Sequence, residues 1–244
     1  MRFSFAIVLA TALALAACSR TEPGQGVPAA PRDAAGFPTA DRPVAGIVSP
    51  DWSSGPDRDT ADESGQLIRD LAIKPGMAVA DIGAGSGYHT LRLSPAVGPK
   101  GVVYAEDIVE SYVSGLSREA AARGLRNVRT VVGKPDDPRL PRGAIDRAVL
   151  IHMYHEIESP YALLWNLAPA LKPDARVGVI DLDRPTQNHG TPPALLKCEF
   201  EAVGYREISI TQLEGGVGYL AVFTPPQSRP RPRAIQPCKA PAQD

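Results

Sequence analysis

The chain has 244 residues, 43% hydrophobic and 22% charged, with 26 Lys and Arg against 27 Asp and Glu. A net charge of −1 excludes an overall field that recruits nucleic acid or an anionic surface, and the composition excludes a disordered or fibrous chain. Proline is the outlier: of 25 residues, seven fall between positions 21 and 58 and six after 224, leaving about 165 residues for one sizeable core.

Residues 1–17 carry Arg2, a short apolar run and a small-residue ending, the pattern of a secretory signal. The run is shorter than the ~20 residues of a membrane-spanning helix. Leu15-Ala16-Ala17-Cys18 resembles the bacterial lipoprotein box, which implies cleavage before Cys18, lipidation of its thiol and anchoring in the cell envelope. Ser19 resembles the outer-membrane-directed version. Residues 18–58 read as a Pro/Gly-rich tether, 59–225 as the folded domain and 226–244 as a solvated Pro-rich tail. Cys198 and Cys238 either pair as a disulfide, as an oxidising compartment permits, or stay two unrelated thiols.

Within the domain, Ser64 is placed to cap a helix with Leu67, Ile68 and Leu71 on one face. Residues 77–82 form an apolar strand, and a helix follows Ser86. A second strand spans 101–108, then Val109, Tyr112, Val113, Leu116 and Ala120 repeat at helical spacing. Strands follow at 128–132 and 145–153. Leu164, Leu167 and Leu171 mark a helix stopped by Lys172-Pro173, before a fifth strand at 175–182. A last helix carries Leu196, Phe200 and Val203, and two closing strands, 208–210 and 219–223, flank the turn at 213–216. This alternation predicts an α/β fold: a doubly wound, mostly parallel seven-stranded sheet ending in an antiparallel pair.

The most informative stretch is VADIGAGSGYHT, residues 79–90. Gly83, Gly85 and Gly87 follow a strand and precede a helix, so the backbone can turn tightly and approach a ligand closely. A dinucleotide fingerprint needs its third glycine where Tyr88 stands, and the Gly-Lys-Ser/Thr of a phosphate loop is absent. Asp81 at the strand mouth would repel phosphate and attract a cation. The second strand ends in Glu106-Asp107, and a carboxylate there can accept both hydroxyls of a ribose. Strand alternation turns only one of the two toward the cleft. The combination describes a ribose-bearing ligand without a pyrophosphate.

These residues, with Pro75-Gly76-Met77 before the first strand and Leu171-Lys172-Pro173 before the fifth, resemble the class I S-adenosylmethionine-dependent methyltransferase family. The resemblance spans residues 65–225 and implies a Rossmann-like methyltransferase fold with S-adenosyl-L-methionine as cofactor. It assigns the methionine end to Asp81 and to Gly83, Gly85 and Gly87, counts Ala84 and Tyr88 among the cofactor-binding residues, and gives the ribose to Asp107, with Glu106 second. The adenine falls near Asp136 and Asp137, although Lys134 stands where many members carry an acid.

The fourth strand ends AVLIHMYHEIESP, putting His152, Tyr154 and His155 at the edge of the implied pocket as catalytic candidates. His155 is the expected base, since an imidazole titrates near neutral pH; the alternative is that these histidines only hydrogen-bond the loop. A metal would need a third ligand from His189, Asp181 or Asp183, and none is assigned. The Asp/Asn-Pro-Pro-Tyr signature of amino-group methylation on nucleic acid is missing, so the expected acceptor is a small molecule or an envelope component. The competing reading is an envelope-anchored binding protein that keeps the fold without catalysis.

Overall fold

The computed structural model describes residues 32, 33, 35–47 and 55–240. The signal peptide, Cys18, the start of the tether and the last four residues lie outside the described residues.

Seven strands form one sheet in the order β3-β2-β1-β4-β5-β7-β6. Five run parallel: β1 (Ala78–Ile82), β2 (Val102–Asp107), β3 (Val128–Val132), β4 (Ile145–Ile151) and β5 (Leu171–Asp181). β6 (Arg206–Gln212) and β7 (Tyr219–Thr224) close the sheet, β7 pairing antiparallel with both β5 and β6. This is the sheet that the alternation predicts.

Both faces are covered, so β1, AVADI, is buried along its whole length. Successive residues serve opposite cores. Val79, Val149 and Ile180 pack under α2 (Glu63–Asp70) and α3 (Tyr88–Val97) with Leu67, Leu71 and Leu93. Ala80, Leu150 and Val179 pack on the other side with Leu164 of α5 (Pro160–Leu167) and Phe200 of α6 (Pro193–Ala202). The fourth helix in chain order, α4 (Glu110–Ala122), buries Val113, Leu116 and Ala120, the spacing read from the sequence. One short helix, α1 (Gly55–Thr60), precedes them.

Three expectations are corrected. Leu171 does not extend the helix before it: it is the first residue of β5, opposite Ile145. Pro173 disfavours helical backbone at Lys172, so the helix stops early through a 3-10 turn at Ala168–Ala170. Ser64 does not cap α2; Asp62 precedes the helix, and the Ser64 hydroxyl instead meets His89 Nδ1 at 3.0 Å.

The third correction concerns the ends, which are not solvated extensions where they are described. Residues 32, 33 and 35–47 form a strap across the domain. Phe37 is buried edge-on to Trp165, and Arg42 reaches Glu199 at 2.9 Å with neither side chain exposed. Arg32 donates to the carbonyls of Pro232 and Ile235 in the tail. The tail is held in turn by a Cys198–Cys238 disulfide, and Cys238 N–H donates to the Tyr161 hydroxyl at 2.7 Å. A Pro-rich composition lacks apolar periodicity, and therefore hides segments that dock through single residues.

Candidate active site

A cleft of about 520 Å³ opens at the carboxyl ends of β1, β2 and β4, where ligands sit in open α/β sheets. One wall is the loop after β1. Gly83 and Gly85 take φ of 69° and 53°, in the left-handed region that favours glycine. A Cβ on Gly83 would also come within 2.9 Å of Met153. Gly85 N–H donates to Asp107 Oδ2 at 2.9 Å and Val109 N–H to Oδ1 at 2.9 Å. Two backbone donors thus fix the carboxylate, whose remaining lone pairs can accept from a ligand.

Glu106 lines the same cleft as Asp107, contrary to strict alternation. The cleft straddles the carboxyl edge of the sheet, so both faces of β2 end on it. Glu106 curls over Gly133, where a Cβ would collide with its carboxylate. Its Oε1 is buried without a hydrogen-bond partner. Burial, reinforced by the charge of Asp107, pushes its pKa up to about 8. Burial also lifts Asp81 to about 6, against the Thr90 hydroxyl that donates to its Oδ2 at 2.6 Å and the nearby Arg58 charge.

These acids suit a cationic nucleoside. Asp107 is a pre-oriented acceptor, Glu106 keeps an orphaned polar atom, and Asp81 is a buried carboxyl whose charged form a neighbouring cation would stabilise. The half-exposed Ile108, with Pro135 and Leu163, offers an apolar edge for a flat base.

The facing wall is built around Glu63 of α2. Its Oε1 accepts from Arg58 at 2.8 Å and from His89 Nε2 at 2.8 Å, and its Oε2 lies 3.5 Å from His152 Nε2. Burial works against the charge, but His152, His89 and Arg58 outweigh it and hold Glu63 well below the usual carboxylate range. Burial drives His89 down to about 4, so at neutral pH it is uncharged, with Nδ1 beside the Ser64 hydroxyl and Nε2 in contact with both Glu63 Oε1 and Arg58 Nη2. Arg58 and Arg92 sandwich the Tyr88 ring at 4.0 and 3.7 Å. His152, fully buried, holds a left-handed φ of 52°, a strained backbone for a non-glycine residue at a strand end.

The sequence-derived site is therefore partly assembled. Asp81, Gly83, Ala84, Gly85, Tyr88, Glu106, Asp107 and His152 line one cleft. Gly87 does not. Its φ of 91° starts α3, and a Cβ there would strike Leu116, so this glycine serves helix packing. Asp136 and Asp137 also stay off the cleft, where Lys134 and Pro135 stand instead. Asp137 turns back to bond Lys134 and Arg139 within its own loop. Tyr154 packs between Phe200 and the Arg42 guanidinium on the far side of the turn. His155 is wholly buried, with Nδ1 3.1 Å from both carboxylate oxygens of Asp181. Neither is on the cleft wall, which removes His155 as a base touching an acceptor in that cleft.

Sequence reasoning missed Arg58 and residues 45–47, which lie in the region read as tether, and Glu63, which no local motif marks. Glu156, which the sequence puts at the pocket edge with the end of β4, and His189, weighed there as a metal ligand, both line the cleft beside Met153. Burial pushes Glu156 up to about 7.

Residues 79–174 match a family model described as a methyltransferase domain. With the strand order, this defines the Rossmann-like fold of class I methyltransferases, whose cofactor is S-adenosylmethionine. Among solved structures, a SAM-dependent methyltransferase from Aquifex aeolicus superposes with a TM-score of 0.64 at 26% identity, covering 69% of this chain and 92% of that one. Nocamycin O-methyltransferase from Saccharothrix syringae is 34% identical over 106 residues, 43% of this chain and 38% of that protein. A tRNA (adenine(58)-N(1))-methyltransferase from Thermus thermophilus is 31% identical over 154 residues, covering 59% and 57%. The chain thus spans about half the length or less of these curated relatives. The likeness is to a methyltransferase domain, and the relatives named differ in their acceptors.

Proposed function

We propose that the chain is an S-adenosylmethionine-dependent methyltransferase that acts at the cell envelope on a small molecule or an envelope component. The observation that carries the reading is the tie between Gly85 N–H and Asp107 Oδ2, which locks the glycine loop and the ribose-type acid into one preformed cleft. Bound there, the cofactor supplies an electrophilic methyl group on a sulfonium. Asp81 meets its positive charge and Asp107 accepts from the ribose hydroxyls. Ile108, Pro135 and Leu163 exclude water from the base, and Met153 closes over the glycine loop. Methyl transfer depends mainly on alignment and dryness. His152 is the imidazole on the wall itself. Its Nε2 lies 3.5 Å from Glu63 Oε2, which fixes the ring where an acceptor hydroxyl, thiol or amine would meet it.

The envelope setting rests on the sequence of residues 1–18, and the Cys198–Cys238 disulfide is in keeping with an oxidising compartment. A Cys18→Ser variant is expected to leave the membrane fraction; a chain that stays there unchanged defeats the lipid anchor.

The decisive test is thermal unfolding with S-adenosylmethionine or S-adenosylhomocysteine. At ~100 times Kd the ligand stabilises by ~2.7 kcal/mol. Asp107→Ala should abolish that shift while circular dichroism stays native. No shift in the unaltered chain with either compound overturns the proposal.

A further inference from the structure

We propose that His155, Glu156 and His189 form a binding site for a divalent transition-metal ion of the zinc class at the inner end of the cleft. A donor atom from each of the three residues lies within 4.8 Å of the other two. They come from separate parts of the chain: the turn after β4 and the loop after β5. The two imidazole rings meet edge-to-face, 5.4 Å between centroids.

The surroundings are those of a ligand rather than of a filler. Asp181 faces His155 Nδ1 with both oxygens at 3.1 Å. It is itself fixed by the Thr191 hydroxyl at 2.7 Å and by Leu182 N–H at 2.9 Å. A carboxylate so placed accepts from Nδ1–H and leaves the lone pair of the ring on Nε2. Metal-binding histidines are oriented in this way by their outer partners. His189 is set by a left-handed backbone, φ 57°, with its N–H bonded to Thr186 O at 3.1 Å.

The ligand chemistry selects the ion. Two imidazoles and one carboxylate make a set used by zinc, with bonds of ~2.0–2.2 Å and therefore donors roughly 3.4 Å apart in a tetrahedron. Closing from 4.8 Å asks for about an ångström of movement. Glu156 and His189 are only half-buried and can supply it by small rotamer changes, while His155 stays clamped by Asp181. Because Glu156 and His189 line the cleft and His155 lies behind them, a fourth coordination position faces the cleft. An acceptor oxygen or sulfur would take that position in place of water, and this clause alone rests on the methyltransferase reading. Asp181, weighed from the sequence as a direct ligand, becomes the residue that orients one.

The test uses the full chain, stripped with chelator and dialysed against Co²⁺ and then Zn²⁺. The expected result is a visible Co²⁺ absorption band, quenched by Zn²⁺, and one retained ion per chain by elemental analysis. His189→Ala and Glu156→Gln should each abolish the band with native circular dichroism, since both side chains are only half-buried. Asp181→Asn should weaken binding about 10–100-fold without abolishing it. Absence of the band in the unaltered chain, or a band that survives both His189→Ala and Glu156→Gln, overturns the site. The cofactor melting test, run on metal-free protein, fails or succeeds independently.

Discussion

The two walls of the cleft are built in different ways. The glycine-loop wall is local: β1, its loop and the end of β2 lie within some thirty residues, joined by backbone donors to one carboxylate. The facing wall draws on Arg58, Glu63, His152, Glu156, His189 and the strap at 45–47, spread over most of the described chain. A wall made by backbone geometry needs only glycines and one acid. A wall made by side chains needs every supporting element docked first. The first can recur across acceptors, and the second is where a particular acceptor would be read.

The contrast predicts that damage far from the cleft harms the second wall first. The largest effect is expected at Arg42, whose guanidinium holds Glu199 at 2.9 Å and also donates to the carbonyls of Tyr154 and Ile157. Burial pushes the Glu199 pKa up, and Arg42 opposes it. Arg42→Met leaves a buried acid without its cation, a loss of about 3–5 kcal/mol by urea titration. Adding Glu199→Leu should return most of it. If the single variant keeps full stability, the strap is not part of the fold.

Next in size is the disulfide. It closes a loop between residues 40 apart in sequence, worth ~3–4 kcal/mol in the chain-entropy view. Reduction, or the paired change of both cysteines to alanine, should lower the melting temperature and loosen the strap through the tail that Arg32 grips. Cofactor-induced stabilisation should persist, because the glycine-loop wall is held by backbone donors of its own. Equal loss of both would show that the walls are not separable.

The same division explains what could be read from the sequence. Every strand and the sheet's parallel character follow from apolar runs between turn residues, and Asp81, Gly83, Gly85 and Asp107 follow from a motif contained in one βαβ unit. Tyr154 and His155 were misplaced because the chain leaves β4 in a 3-10 turn at Tyr154–Glu156, so the strand's alternation no longer says where side chains point. Gly87 was assigned to the ligand because a glycine needed for close helix packing looks, in sequence, like one needed for ligand approach. Arg58 and the strap were unreadable for a simpler reason: each docks by one or two residues, with no period to detect.

A finer test separates two neighbours on the glycine-loop wall. Glu106 and Asp107 are adjacent acids. Asp107 accepts two backbone N–H groups, whereas Glu106 keeps an orphaned oxygen and a pKa raised from 4.5 to about 8. Asp107, Asp81 and Asp137 are the charges acting on it, all negative. A carboxyl that holds its proton more tightly folded than unfolded favours the folded state fully below pH 4.5 and progressively less as pH rises through about 8. The ligand-free protein should therefore lose stability across that interval. Glu106→Gln, neutral at every pH, should flatten this part of the profile and leave the protein more stable than the unaltered chain at pH 9 than at pH 5. A Glu106→Gln profile parallel to that of the unaltered chain would mean that burial does not hold the proton of Glu106, and that the carboxyl edge of β2 presents this acid to its ligand ionised.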